Sequence, residues 1–187
     1  MSKPVNPVEI TDTLQDQVMQ RSNTDNAPRS AIHQTLYSAD TFVQHDYLAG
    51  KNLPDITRPQ EGQINWLHFV GINDVALLKH ALEPYGIHEL VIEDILSRKQ
   101  RPKIEDYGSY VFTAAQVYHY TSTGKLHSDQ VYVIIGKNFV LSFQQKPLGL
   151  FSLLRRQMHE NPHNILNKNT AFLAYCLLDR IVDDYFI

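Results

Sequence analysis

Residues 88–108 read HELVIEDILSRKQRPKIEDYG, an acid-rich apolar run followed by a basic exit and a proline. Leu90, Val91, Ile95 and Leu96 fall at helical spacing and form an apolar stripe, while Glu89, Glu93, Asp94 and Ser97 gather on the other side. One face suits a core and the other can hold a cation. The charge order also suits a bare helix, because acids in the first turns and Arg98 and Lys99 at the end both complement the macrodipole. Pro102 forbids continuation, so the helix ends before it. Two readings stand at this point: a solvated amphipathic helix and a carboxylate cation site.

Working outward, the segment before this helix predicts strands at Ile32–Tyr37, Thr41–Leu48 and Ile64–Val70. A loop from Gly50 to Gly62 holds Pro54 and Pro59, and Gly71 ends the third strand. Asn73 or Asp74 caps a helix that turns Val75, Leu77, Leu78, Ala81 and Leu82 inward and stops near Pro84 to Gly86. After Pro102 the period changes to two, with strands expected at Tyr110–Tyr120, Gln130–Ile135 and Asn138–Phe143 and a hairpin at Gly136-Lys137-Asn138. Leu150–His159 is a further amphipathic helix, ended before Pro162. Helices and strands mix without a strict βαβ rhythm. The expected class is therefore α+β, a largely antiparallel or mixed sheet with helices packed on it.

The chain has 187 residues, 43% hydrophobic and 20% charged, with a net charge of -3. A chain of that size makes one domain and buries about 70% of its unfolded surface. The charge balance excludes a disordered polyelectrolyte and a chain that is basic throughout, so no nucleic-acid partner is expected. One cysteine, Cys176, excludes an internal disulfide framework, fits a reducing compartment and is expected to pack rather than react. The N-terminus shows no signal pattern, and no window approaches the roughly 20 apolar residues of a membrane span. As written, the chain reads as cytoplasmic. Residues 1–29 are expected to be a mobile tail and residues 30–168 the domain.

Residues 169–187 read as a helix still in progress. Asn169 or Thr170 caps it, and Ala171, Ala174, Tyr175, Leu178, Ile181, Val182 and Tyr185 fall along one face. No glycine or proline stops it, and Asp183 and Asp184 stand near its carboxyl end, where the dipole disfavours negative charge. The expectation is a chain cut within a longer helix.

Asp179 and Asp183 are neighbours on one helical face, a like-charge pairing that costs roughly 0.2–0.5 kcal/mol. A solvated acidic face tolerates that cost, and a bound cation would reverse its sign. Carboxylate ligation suits hard ions such as magnesium or calcium and argues against a thiolate zinc site. Nine histidines offer no better site: HELVI at 88–92 lacks the second histidine of a zincin, and Pro162 breaks the helix between His159 and His163. Arg98, Lys99, Arg101 and Lys103 stand beside Glu93, Asp94, Glu105 and Asp106, which favours internal ion pairing over contact with nucleic acid. No Gly-rich phosphate loop, nucleophile elbow or kinase motif is present. A metal hydrolase using Asp94 with Glu93 would need a cleft and an activated water that the residues do not specify, so no catalytic residue is assigned.

The same stretch closely resembles the cytoplasmic domain of the CorA family of divalent-cation transporters, whose members carry a pattern like H-P-L-x-x-E-D-I-L-x-x-x-Q-R-P-K-x-E-x-Y. His88, Leu90, Glu93, Asp94, Ile95, Leu96, Gln100, Arg101, Pro102, Lys103, Glu105 and Tyr107 match, and Glu89 departs from the usual proline. Ile64 to Gly71 resembles the family's tryptophan-led strand, and Leu178 to Phe186 the start of its stalk helix, so the likeness covers about residues 60–187. It implies a three-layer α/β/α sandwich followed by a truncated stalk helix. It implies a regulatory Mg2+ ion, with Co2+ or Ni2+ as alternatives, held between subunits by Glu93 and Asp94 and by Asp179 and Asp183. It further implies a full-length homopentamer of neighbouring copies in the inner membrane, anchored through C-terminal helices and a Gly-Met-Asn pore sequence that lie outside this chain. The competing expectations are a stand-alone divalent-cation-binding regulatory protein and a zinc-transporting ZntB-like relative. Members of the latter branch generally lack the combination of Glu-Asp-Ile-Leu with Gln-Arg-Pro-Lys.

Overall fold

Seven strands and four helices account for most of residues 30–48, 55–120 and 124–183, the part of the chain described by a computed structural model. The expected N-terminal tail lies outside the described residues. The strands are β1 (Ala31–Tyr37), β2 (Phe42–Leu48), β3 (Ile64–Val70), β4 (Lys103–Asp106), β5 (Tyr110–Tyr120), β6 (Leu126–Gly136) and β7 (Phe139–Gln144). The helices are α1 (Val75–Leu82), α2 (Glu89–Ser97), α3 (Ser152–Glu160) and α4 (Thr170–Asp183). They build one sheet in the order β2-β1-β3-β7-β6-β5-β4. Every pairing is antiparallel except β3 with β7. The sheet is mixed and largely antiparallel, as the patterning implies.

Alternation along β3 divides the core in two. Leu67 and Phe69 face a cluster with Leu77, Leu78 and Leu82 of α1 and Val91, Ile92 and Ile95 of α2. Trp66 faces the other side, with Phe151, Leu154 and Met158 at α3 and Leu173, Leu177 and Ile181 of α4. Two helices therefore cover each face, and the result is the three-layer α/β/α sandwich. Burying each of these large side chains contributes about 1.5–3 kcal/mol. The central strands β1 and β3 are buried almost throughout because both of their faces are covered.

The helix starts follow capping chemistry. Asp74 accepts from the Leu77 amide at 2.9 Å, His88 Nδ1 accepts from the Leu90 amide at 3.2 Å, and Asn169 accepts from the Phe172 amide at 3.0 Å. Gly86, at φ 61°, occupies the left-handed position after α1 and its trailing 3-10 turn. The inward faces differ from expectation at several positions. Val75 is exposed, and in α2 Leu90 is exposed while Ile92 takes its place in the core. In α4 the buried apolar set is Leu173, Ala174, Leu177 and Ile181, whereas Ala171, Tyr175 and Val182 face outward. Both helices carry apolar residues on two sides, so periodicity alone does not select the side that meets the sheet. The four-residue edge strand β4 and the first four residues of β6 were not expected, because each holds a single apolar residue and lacks a strand's apolar alternation.

Candidate functional site

The quoted stretch folds into α2, a left-handed exit and β4. Arg98 caps α2 at φ 56°, and its Nη2 donates to Asn73 Oδ1 at 2.7 Å, an acceptor that Gln145 Nε2 also reaches at 2.7 Å. Gln100 donates its backbone N–H to Gln130 Oε1 at 3.1 Å, and Gln130 Nε2 donates back to the Gln100 carbonyl. Tyr132 then donates to the same Gln130 oxygen at 2.5 Å. Burial pushes the Tyr132 phenol up to about 12, so it remains a neutral donor. This exchange ties the end of α2 to β6 across a polar cleft lined by Arg98, Lys99, Gln116 and Ser128 among others.

Asp94 sits at the centre of this turn, with its side chain 25% exposed. Its Oδ1 accepts from Gln100 Nε2 at 2.8 Å and its Oδ2 pairs with Lys103 Nζ at 2.8 Å. Lys103 also reaches Glu105 at 3.0 Å and lies 5.5 Å from the centre of the Phe112 ring. The hydrogen bond to Asp94, with a further contribution from Glu105, holds the Lys103 ammonium above its ordinary range. Glu93, one residue earlier, is exposed. On the far side of the sheet Asp179 is exposed, and Asp183 is 59% exposed with Arg180 Nη1 at 3.5 Å.

The four expected ligands therefore divide into two pairs on opposite faces. Glu93 and Asp94 ride on α2, whose core side chains meet one surface of the sheet; Asp179 and Asp183 ride on α4, which packs on the other. Among the described residues no group of three or more His, Cys, Asp or Glu side chains is placed to hold a metal ion. One chain alone does not bring the two pairs together. The basic run behaves as expected where it pairs, since Lys103 is held by Asp94 and Glu105.

A second polar cluster lies beneath α3 and was not anticipated. His33 Nδ1 meets Asp46 Oδ1 at 2.7 Å, and Arg155 Nη2 donates to the same oxygen at 2.9 Å. His68 stacks on His33 with ring centres 5.9 Å apart, and its Nδ1 meets Ser142 Oγ at 2.9 Å. Trp66 Nε1 donates to that hydroxyl at 2.9 Å. Burial lifts the Asp46 carboxyl, but the His33 hydrogen bond and the Arg155 charge outweigh it and hold the group below its ordinary range. The sequence signal was the polar run His33-Gln34-Thr35 inside an otherwise apolar strand, and an arginine on the inward face of α3.

The domain is thus a mixed seven-stranded sheet between two helix pairs, with an acidic-to-basic helix–strand segment on one face and the acids of α4 on the other. The chain belongs to the family described as CorA-like Mg2+ transporter protein, whose model matches residues 61–187. It is 39% identical over 123 residues to the cobalt/magnesium transport protein CorA of Thermotoga maritima, covering 65% of this chain and 35% of that protein. Its fold matches the CorA magnesium transporter of Methanocaldococcus jannaschii with a TM-score of 0.65 and 13% identity, over 82% of this chain and 45% of that one. The soluble domain of the same transporter matches with a TM-score of 0.58 and 12% identity, over 82% and 56% of the two chains. The chain spans less than half the length of the curated relatives it matches. Among the described residues no helix is long and apolar enough to cross a membrane.

Proposed function

We propose that this chain is the cytoplasmic, Mg2+-sensing regulatory domain of a CorA-like divalent-cation transporter, and that transport of Mg2+, with Co2+ or Ni2+ as alternatives, belongs to the longer protein. The observation that carries the reading is the division of the acids. Glu93 and Asp94 ride on α2 and Asp179 and Asp183 on α4, helices packed on opposite faces of one sheet, so one copy presents half-sites in two directions. A ring of copies would set the α2 acids of one against the α4 acids of the next. A hard cation bridging them would cancel carboxylate repulsion and favour the closed arrangement by its differential affinity. On this reading α4, Thr170–Asp183, would be the start of the stalk helix that leads to the membrane, and the full-length assembly would be a homopentamer in the inner membrane. No residue has a catalytic role in this scheme.

The test is sedimentation velocity of the chain in MgCl2 against NaCl of equal ionic strength, with wild type, Asp94→Asn and Asp179→Asn. Magnesium should raise the sedimentation coefficient of the wild type, and each variant should need more of it. Identical magnesium responses in all three proteins would remove these acids from the site.

A further inference from the structure

We infer that His33, His68, Asp46 and Arg155 form an acid-sensitive latch that holds α3 on the sheet and releases it when the histidines take up protons. The four side chains come from four elements: β1, β3, β2 and α3. Among the described residues Asp46 is the one carboxylate paired with the group, and it is already shared by His33 at 2.7 Å and Arg155 at 2.9 Å. The remaining neighbours of His68 are neutral: Ser142 of β7, Trp66 and the edge of Phe151, whose ring centre lies 5.1 Å away. Arg155 is 4% exposed and its Nε has no hydrogen-bond partner among the described residues.

Charge decides the consequence. With both rings neutral, Arg155 and Asp46 balance. One proton leaves the buried cluster at a net charge of one, and a second leaves it at two, with the rings stacked against each other. Burial, Arg155 and the neighbouring ring all lower the His68 pKa, while at His33 burial and Arg155 outweigh the supporting Asp46. Because the closed cluster holds both histidines below the ordinary value of about 6.5, it binds fewer protons than an open one as pH falls through that value. Closure is therefore complete above that pH and weakens below it, by up to about tenfold per pH unit for each histidine.

The element that gives way is α3: its polar hold on this part of the sheet is Arg155, beside ring contacts of Phe151 with Trp66 and His68 and of His159 with Phe42 of β2 at 6.4 Å. Gln44 of β2 adds a bond to the Arg155 carbonyl at 3.3 Å. Leu154 and Met158 of α3 share an apolar cluster with Leu173 and Leu177 of α4, so release of α3 uncovers part of the packing of α4. On the other face, α1 and α2 pack in a separate apolar cluster and serve as an internal reference.

Hydrogen exchange of the 187-residue chain at pH 7.5, 6.5 and 5.5, corrected for intrinsic rates, tests the latch. Protection of α3 amides should fall by about fivefold to thirtyfold from pH 6.5 to 5.5, as one or both histidines take up protons, while that of α2 stays constant, and the His33→Gln/His68→Gln variant should lose the difference. If α3 and α2 lose protection equally, or neither does, the latch is overturned. Should the double variant fail to fold, an NMR titration of the wild type decides. α3 amide shifts that follow the His68 ring midpoint support the latch, and shifts independent of it overturn it.

Discussion

Replacing Asp94 separates what this residue does for the fold from what it does for an ion. Its carboxylate makes two contacts at 2.8 Å, to Lys103 and to Gln100. A hydrogen bond to a charged group contributes about 1.5–3 kcal/mol when fully buried, whereas an exposed ion pair contributes about 0.2–1 kcal/mol. The Asp94 and Lys103 side chains are 25% and 27% exposed, so the pair lies between these limits. Asp94→Asn keeps an acceptor for Gln100 and leaves Lys103 its second partner, Glu105; a loss of about 0.5–1 kcal/mol is expected. Asp94→Ala removes both contacts and should cost about 1–2 kcal/mol, which for a chain of this size lowers Tm by about 2–8 °C. Glu93→Gln, at an exposed position, should stay within about 0.5 kcal/mol of wild type. Urea unfolding in EDTA reads all three without any contribution from a cation. Equal midpoints for Asp94→Ala and Glu93→Gln would refute a structural role for the Asp94 turn, and any magnesium effect of Asp94 variants could then be read directly.

Three further comparisons test the packing by the same urea titration. Asp46→Ala strands Arg155 and His33 without their carboxylate and should cost about 3–5 kcal/mol, most of it recovered in Asp46→Leu/Arg155→Met; failure of the pair to recover stability would contradict the charge argument. A Cβ at Gly136 would run into the Phe139 ring, so Gly136→Ala should cost about 1–3 kcal/mol, and Gly136→Ala/Phe139→Leu should regain part of it. Leu177→Ala on the inner side of α4 should cost about 2–5 kcal/mol and Tyr175→Ala less than about 0.5 kcal/mol; the reverse order would mean that α4 is rotated about its axis.

The sheet was legible in the sequence because its strands carry the chemistry of strands. Ile64–Val70 and Tyr110–Tyr120 are rich in branched and aromatic residues and end at glycine or polar turns, and both appear with the expected bounds. Helix orientation was less legible, since Leu90 and Ile92, or Tyr175 and Leu177, are equally apolar and only the position of the sheet chooses between them. The acids Glu93 and Asp94 were legible as a surface feature. Internal pairing of the basic run with neighbouring acids was legible too, but that Lys103 is the partner of Asp94 depends on β4 folding back along β5 after Pro102. The cluster under α3 joins residues 33, 46, 68 and 155, separations at which no local pattern reports proximity.

The Lys103 contact also sets the strength of any cation site at Asp94. On the proposed reading, a magnesium ion approaching Asp94 meets an ammonium already 2.8 Å from Oδ2, so binding includes displacement or repulsion of that charge. Lys103→Met keeps the aliphatic stem over Phe112 and removes the competitor, leaving Asp94 with Gln100 alone. Relief of a partly exposed pair of about 0.5–1 kcal/mol corresponds to a two- to fivefold lower magnesium midpoint in the sedimentation assay. Stability in EDTA should fall at the same time, because the ion pair with Asp94 is lost. An unchanged or raised magnesium midpoint in Lys103→Met would place the ion away from Asp94, since a carboxylate freed of its ammonium is a better ligand for a hard cation. The opposite signs of the two readouts distinguish a ligand from a residue whose only work is to hold the turn.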